Sequence, residues 1–514
     1  MIDALAPTLR RGCSWVWLGL FAAAVLGVPV SAHAQDTKTK GTEPAKKSAA
    51  PAPTKADTKA EPKKDAEKAA PAEEPAEAEA TESELSIEVY KDERAEKALE
   101  TFKSVAGLVD RMRPNEIGQI KSMAATPGSA DRELIQRFVD SMAARLIDKS
   151  YINGLIAPDP KASPNALALR AIKETSANLI DTLAAARQAR NSAFLSAYNQ
   201  ALLTTLPKLL DNNLVSRIEA MIVLGQTGDP NAIPIFLNQL KDPNQTIWVK
   251  LWAARGLANI VESGVRVDSV VSAQQASTAG KALADFLAAE KEAPWPVKVR
   301  ALEALGSMRQ AAVPVSLAKL EMANAAMAHL ADAEARFEVR ATAAWALGMV
   351  RVNPASGKYN FPLIAYFVGQ LAAEIGDTAL ESFTENPSRS EYLSGILVGP
   401  IYQAFNGVDG ARESGLLKSP SLGGAQGFVK QVADATTAVA RASVELVRAP
   451  GGQTKARSKD LGDRIAQLRA ILEKSPPKEF SLVPGGPEYR PASPAVAGAA
   501  ASESAKTAAV AGGR

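Results

Sequence analysis

The sequence predicts an all-α chain, an α-solenoid of paired helices with a disordered N-terminal linker and a disordered C-terminal tail. Three observations predict it. The first is one line of residues written four times between positions 214 and 350: a basic residue, alanine three later, leucine seven later, and glycine (once alanine) eight later. It reads Arg217/Ala220/Leu224/Gly225, Lys250/Ala253/Leu257/Ala258, Lys298/Ala301/Leu305/Gly306 and Arg340/Ala343/Leu347/Gly348, with Val249, Val297 and Val339 before three of the basic residues. The second is composition: 46% of the 514 residues are hydrophobic but only 5% are aromatic, and the abundant alanine suits helices better than sheets. The third is turn chemistry. Gly228-Asp229-Pro230 follows the first copy and Asp242-Pro243 precedes the second, a pattern that ends one helix and opens the next.

The elements follow in chain order. Arg10 and Arg11 precede an uncharged apolar run over residues 15–28, Pro29 breaks it, and Ala32-His33-Ala34 has the small-x-small form of a cleavage site. Residues 1–34 are expected to be a cleaved signal peptide, which makes the protein periplasmic or secreted. The alternative is an N-terminal membrane anchor, since the uncharged span 12–35 is barely long enough to cross a bilayer. Cys13, the only cysteine, lies in the signal, so no disulfide or thiolate chemistry would remain. Residues 35–84 are Ala, Pro, Lys and Glu with almost no large apolar side chain. They cannot offset their ordering entropy and are expected to be a disordered linker, read first as a solvated leader and, as the alternative, as a spacer holding the folded part near a membrane or cell wall.

Residues 85–210 are expected to be helical, either an N-terminal part or degenerate repeats. Leu99, Phe102, Val105, Ala106 and Val109 recur at helical steps, Pro114 opens a short helix, and Leu134, Phe138, Met142, Leu146 and Ile147 mark a longer one. Ser163-Pro164 signals another helix start, and a last helix runs from Asn191 to Leu210.

Residues 211–352 hold the repeats. On a helical wheel the preceding valine, the alanine and the leucine fall on one face, which is the core face. The basic residue lies at its edge, where its stem covers apolar surface and its charge reaches a carbonyl or a turn aspartate. The glycine leaves room for close helix contact or for helix termination. Ile233, Phe236, Leu237 and Leu240 supply the apolar face of the intervening helix. Spacings of 33, 48 and 42 residues between copies mean that loops vary, with residues 264–278 as an insertion. Residues 353–474 are expected to continue as C-terminal repeats or a cap, interrupted by a Gly/Ser-rich loop at 406–427 that is expected to be disordered. From residue 475 to 514 the Pro/Ala/Gly composition predicts a disordered tail.

The run Val339-Arg340-Ala341-Thr342-Ala343-Ala344-Trp345-Ala346-Leu347-Gly348 resembles the second helix of bacterial HEAT-like repeats of the PBS-lyase type. The resemblance implies a superhelical stack of HEAT-like helical hairpins with a partner surface on the second helices. It implies no reaction, because this fold serves many functions. Some proteins with similar repeats are chromophore lyases, so a lyase-like enzyme is a minor alternative.

A search for chemistry returns little. Beyond the signal, His329 is the one histidine, so the usual zinc sites have no ligand set, and no G-x-S-x-G supports a catalytic role for it. Gly280-Lys281 lacks the rest of a phosphate loop, and Gly407, Gly410 and Gly415 follow no strand. No catalytic residue, metal or cofactor is expected, and the protein is expected not to be an enzyme. The formal charge of +3 gives no reason to expect a nucleic-acid partner. What remains is surface. Positions two and five after the basic residue fall away from the core face: Glu219, Trp252, Arg300 and Thr342, then Ile222, Arg255, Glu303 and Trp345. Trp248 also points outward. Tryptophan and arginine are common interface anchors, so Trp248, Trp252, Arg255, Arg300 and Trp345 are the candidate partner-binding residues; the alternative is that the tryptophans pack under the 264–278 insertion or a terminal helix. The expected function is a non-enzymatic scaffold for protein–protein interaction in the bacterial envelope. The alternative is an envelope-tethered, self-associating structural protein.

Overall fold

The structure, a computed structural model, describes residues 92–156, 164–266, 271–352, 359–411 and 413–491. The expected signal and linker lie outside the described residues, as does Ser163. Among the described residues the regular elements are helices and no strand forms.

The four repeat lines become four helices lying side by side: α7 (Leu214–Gln226), α9 (Ile247–Arg266), α11 (Trp295–Met308) and α13 (Phe337–Met349). Between them run α8 (Ile233–Lys241), α10 (Ala273–Ala289) and α12 (Glu321–Ala331), which pack on one another as a second layer and continue to α14 (Phe361–Ser382). This is an α-solenoid of two helical layers. The valine, alanine and leucine of the line are its core: none of Ala220, Leu224, Val249, Ala253, Leu257, Val297, Ala301, Leu305, Val339, Ala343 and Leu347 is more than 1% exposed.

The repeat glycine sets the spacing between successive second helices. A Cβ built on Gly306 would lie 2.6 Å from the Trp345 ring and 2.8 Å from the Ala346 Cα of the next helix. One on Gly348 would lie 2.7 Å from the Ala404 Cα, and one on Gly225 3.1 Å from the Gly256 Cα. Backbones this close leave no room for a Cβ on Gly306 or Gly348 and little on Gly225, so the glycines serve close contact rather than helix termination.

The basic residues tie neighbouring turns and units together. Arg217 donates to the Asn212 carbonyl at 2.6 Å and to Gln245 at 3.0 Å. Lys250 reaches Glu290 at 2.8 Å, and Arg340 reaches Glu374 at 2.5 Å. Both latter side chains are almost fully buried, so their charges need these partners. The acidic partners are glutamates on the adjoining unit, not the aspartates expected. Asp229 and Asp242 instead cap backbone, accepting from the Asn231 and Asn244 N–H groups.

Ahead of the stack, α2 (Pro114–Ala124), α3 (Arg132–Leu146), α4 (Lys149–Ile156), α5 (Pro164–Gln188) and α6 (Ser192–Thr205) pack around a core that includes Phe138, Phe194 and Tyr198. Asn191 caps α6 and also donates to the Met123, Thr126 and Ser129 carbonyls. One expectation here is corrected. The helical steps from Leu99 to Val109 do not make a helix. The first helix, α1 (Glu93–Leu99), stops at Leu99, and residues 101–113 run without helix and include a turn at Gly107, φ +85°. Side chains from distant helices take up the main-chain groups there, so the segment needs no helical bonds.

Three further expectations shift. Residues 264–278 are mostly helix, because α9 extends to Arg266 and Ser272 caps α10 at Ala273; residues 267–270 lie outside the described ones. The Gly/Ser-rich loop is ordered wherever it is described. Gly415, φ +90°, donates to the Gly348 carbonyl at 2.7 Å, while Ser414, Leu416 and Leu422 are buried. The tail begins later than residue 475. The Asn360 N–H and side chain bond to the carbonyls of Leu482, Glu479 and Ser481, and the Tyr489 hydroxyl bonds to Asn324. Leu482 and Val483 are buried, so two apolar anchors fix this stretch; residues 492–514 lie outside the described ones.

The stack ends on a bundle of α14, α15 (Pro387–Ile396), α17 (Gln426–Val447) and α18 (Thr454–Lys474). A single π turn over Leu397–Ile401, carrying Pro400, leads from α15 into α16 (Tyr402–Asn406), which supplies the Ala404 contact to Gly348.

Candidate binding ridge on the second helices

The five candidate residues fall on three adjoining helices. Trp248, Trp252 and Arg255 are on α9, Arg300 is on α11 and Trp345 is on α13. All five are half-buried; none is sealed in the core and none stands fully in solvent. The helix pitch brings Trp252, Arg255, Arg300 and Trp345 onto one ridge, while Trp248 sits in the first turn of α9, near the turn edge.

Contacts within the chain divide these residues by role. Trp345 lays its ring edge on Gly306, so part of that ring is packing between α11 and α13. Arg300 pairs with Glu303 at 2.5 Å, and Arg255 approaches Glu303 at 3.8 Å and Glu262 at 3.9 Å. Two arginines and two glutamates thus alternate across α9 and α11. The Glu303 charge holds the Arg300 guanidinium above its ordinary pKa, against the opposing effect of burial. The arginines are therefore engaged in cis, and the ridge is charge-balanced rather than basic.

Other wheel positions hold to the ridge with one exception. Ile222 and Glu303 are half-buried, as is Glu219, but Thr342 is buried at 9% exposure and donates to the Glu338 carbonyl. Glu219 meets the Ser176 hydroxyl of α5 at 2.6 Å; burial pushes its carboxyl up, while Ser176 and Lys173 oppose the shift.

A second aromatic feature was not anticipated. Trp295 starts α11, with the Arg336 guanidinium 4.9 Å from its ring, and Arg336 pairs with Glu338 at 3.2 Å. The exposed Tyr392 donates to Glu338 at 2.9 Å. The sequence signal was present, an aromatic residue shortly before the basic position in both α9 and α11, but it lay outside the repeat line.

His329 is half-buried in the last turn of α12, its pKa lowered by burial and then by Lys298, with Asp332 opposing. Among the described residues no group of three or more His, Cys, Asp or Glu side chains is arranged to hold a metal ion. Two open clefts lie away from the ridge. One of about 310 Å³ is lined by Arg132, Gln136, Gln200 and Thr204, and one of about 530 Å³ lies beside Tyr359, Asn360 and Glu479.

Comparison with known families agrees with this architecture. Residues 216–242 match the family model described as PBS lyase HEAT-like repeat, a span that covers nearly all of α7, then α8 and the start of the following turn. Searches of curated proteins and of solved structures returned no match. The paired layers, the buried repeat line and this match support a HEAT-like helical-repeat architecture.

Proposed function

Taking the chain as a HEAT-like repeat protein, we propose that it is an exported, non-enzymatic scaffold that binds a protein partner in the bacterial envelope. The ridge of α9 and α11 is the docking surface. The observation that carries this reading is Trp252: a large side chain left half-exposed among arginines and glutamates that already balance one another. An aromatic anchor with a charge-neutral polar surround is the composition of a protein interface core and its rim. A balanced ridge of this kind also disfavours a nucleic-acid partner, which calls for uncompensated positive charge.

The test is crosslinking and pull-down from the envelope fraction with the full chain and with Trp252→Ala. Loss of one or more partners from the variant supports the scaffold; an unchanged partner set removes the ridge from consideration. The apolar run at 15–28 favours a second reading, an envelope-tethered protein that associates with itself. An uncleaved N-terminus in the membrane fraction, with the chain itself as the main crosslinked species, would select that reading.

A further inference from the structure

Residues 92–113 cross the edge of the molecule where the inter-helix turns lie, and helices far away in sequence hold them by their main chain. At the start of α9, the Ile247 N–H donates to the Asp92 carboxylate at 2.9 Å. At the start of α7, Asn213 donates to the Leu99 carbonyl at 2.5 Å. Asn212 grips both sides of Lys103, accepting from its N–H at 3.3 Å and donating to its carbonyl at 2.6 Å. On α3, the Ser141 hydroxyl accepts from the Arg111 N–H at 3.0 Å and lies 3.3 Å from the Val109 carbonyl. These groups read a peptide backbone. The side chains of Lys103, Val109 and Arg111 point to solvent.

The segment is weakly anchored by comparison with the stack. Its buried side chains are Asp92, Ala95, Ala98 and Met112, three of them small or polar. Leu99, Phe102, Val105 and Leu108 are only half-buried, and its charged contacts include Arg94 to Glu290 at 3.6 Å and to the Pro243 carbonyl at 3.3 Å, Arg145 to Asp110 at 2.7 Å, and Lys149 over the Phe102 ring at 5.2 Å. A segment with few buried apolar side chains, held mainly by single polar bonds, opens at lower free energy than the core it covers. Most of the stack's own bonds stay when it leaves: Asn213 still caps α7 through the Val215 N–H and Ser216 still bonds to Leu146, while the Ile247 N–H in the first turn of α9 gives up its Asp92 acceptor.

We propose that residues 92–113 are a releasable clasp. The clasp occupies in cis a groove for extended peptide backbone, centred on Asn212, Asn213 and Ser141, and leaves it as a unit while the repeat stack stays folded. The groove selects main chain at fixed spacing rather than side chains. The occupant to which its spacing is matched is therefore the clasp sequence itself.

Hydrogen exchange of the full chain and peptide binding test this together. In the wild type, amides of residues 99–111 should exchange well before those of α7 to α13. The clasp-side variant Asp92→Ala/Arg94→Ala should speed clasp exchange by at least about tenfold while stack amides hold. A fluorescent peptide of residues 92–113 should bind that variant and not the wild type, and adding Asn212→Ala/Ser141→Ala should abolish the binding. Phe102→Ser, which loosens the clasp away from the start of α9, serves if the first variant unfolds. Clasp and stack amides exchanging together in the wild type would overturn the proposal. So would a loosened chain that does not bind the peptide.

Discussion

Between α11 and α13 the two backbones nearly touch, and a single methyl on Gly306 would lie 2.8 Å from the Ala346 Cα. Between the clasp and α7 they never meet, because Asn212 stands between them and spans the gap with one donor and one acceptor. The first contact tolerates no added atom. Its glycine was written into the sequence at three of the four repeat positions, with Ala258 at the fourth. The second contact needs only one amide side chain at one place, and the residues it joins are 109 apart in the chain. Repetition makes packing visible; a single long-range polar contact leaves no period to find.

The sharpest way to break this comparison is to add atoms at the tight contact. Gly348→Val would drive a branched side chain into the Ala404 backbone, 2.7 Å from a Cβ at that site, and Gly306→Val would do the same at Ala346. Overpacking where neither backbone can give is expected to destabilise by about 3 kcal/mol. Thermal unfolding should show a large fall in Tm for both. Ala258 supplies the internal control: it holds the same repeat position, already carries a Cβ and is fully buried, so Ala258→Gly should cost no more than about 1 kcal/mol.

A smaller effect is expected at the polar contact. Asp92→Ala removes the acceptor for the Ile247 N–H at the start of α9 and the partner of Arg94 at 2.8 Å. Lost caps of this kind cost about 1–2 kcal/mol. The loss should be confined to the clasp and the first turn of α9, read by hydrogen exchange, rather than spread through the stack. If Asp92→Ala lowered the stability of α11 and α13 as well, the clasp would be part of the repeat core and the contrast would fail. Acid should act on the clasp and on α9 together, because Glu290 holds the buried Lys250 as well as Arg94. Burial works to raise the Glu290 carboxyl, but Lys250 and Arg94 outweigh it and hold the group below the ordinary carboxylate range. A depressed carboxylate contributes stability above its unfolded value, about 4.3, that is lost as the pH falls through its folded value. Clasp exchange should therefore accelerate below about pH 4.

The same contrast explains what could be read from the residues alone. Val249, Ala253 and Leu257 were assignable to the core because three side chains share one helix face, and all three are fully buried. Asp229 and Asp242 were assignable to turns because capping is local. The run Leu99, Phe102, Val105, Ala106, Val109 misled, because apolar steps describe what a segment could bury and not whether distant side chains will hold it extended. The loop at 406–427 misled for a related reason: its glycines suit close backbone approach as well as they suit disorder, and Gly415 uses that freedom to reach the Gly348 carbonyl. On the ridge, the wheel placed Trp252 and Trp345 alike. It could not show that Trp345 lays its ring on Gly306.

That last difference predicts a separation of stability from binding. Trp345→Ala opens a cavity against Gly306 and Ala346 and should cost roughly 2–3 kcal/mol, whether or not a partner is present. Trp252→Ala, from a half-exposed site, should cost on the order of 1 kcal/mol or less and yet lose the partner. Thermal unfolding and pull-down on the same two variants resolve the roles; equal stability losses would mean that both rings are packing and that the ridge has no free anchor.

The smallest effect is expected at Glu219, a polar group placed within an apolar contact, where α5 meets α7. Burial raises its carboxyl above the ordinary value, despite the Ser176 hydroxyl and the Lys173 charge. A carboxyl raised on folding contributes its full stability below its unfolded value, about 4.3, and loses it as the pH rises through the folded value. Glu219→Gln keeps an acceptor for Ser176 and cannot ionise. The variant should match the wild type near pH 4 and exceed it at pH 7, by on the order of 0.5 kcal/mol. Thermal unfolding at the two pH values reads the difference, and a variant less stable at pH 7 would mean that the ionised carboxylate is what joins α5 to α7. The stack would then be held, at that one contact, by the same polar chemistry as the clasp.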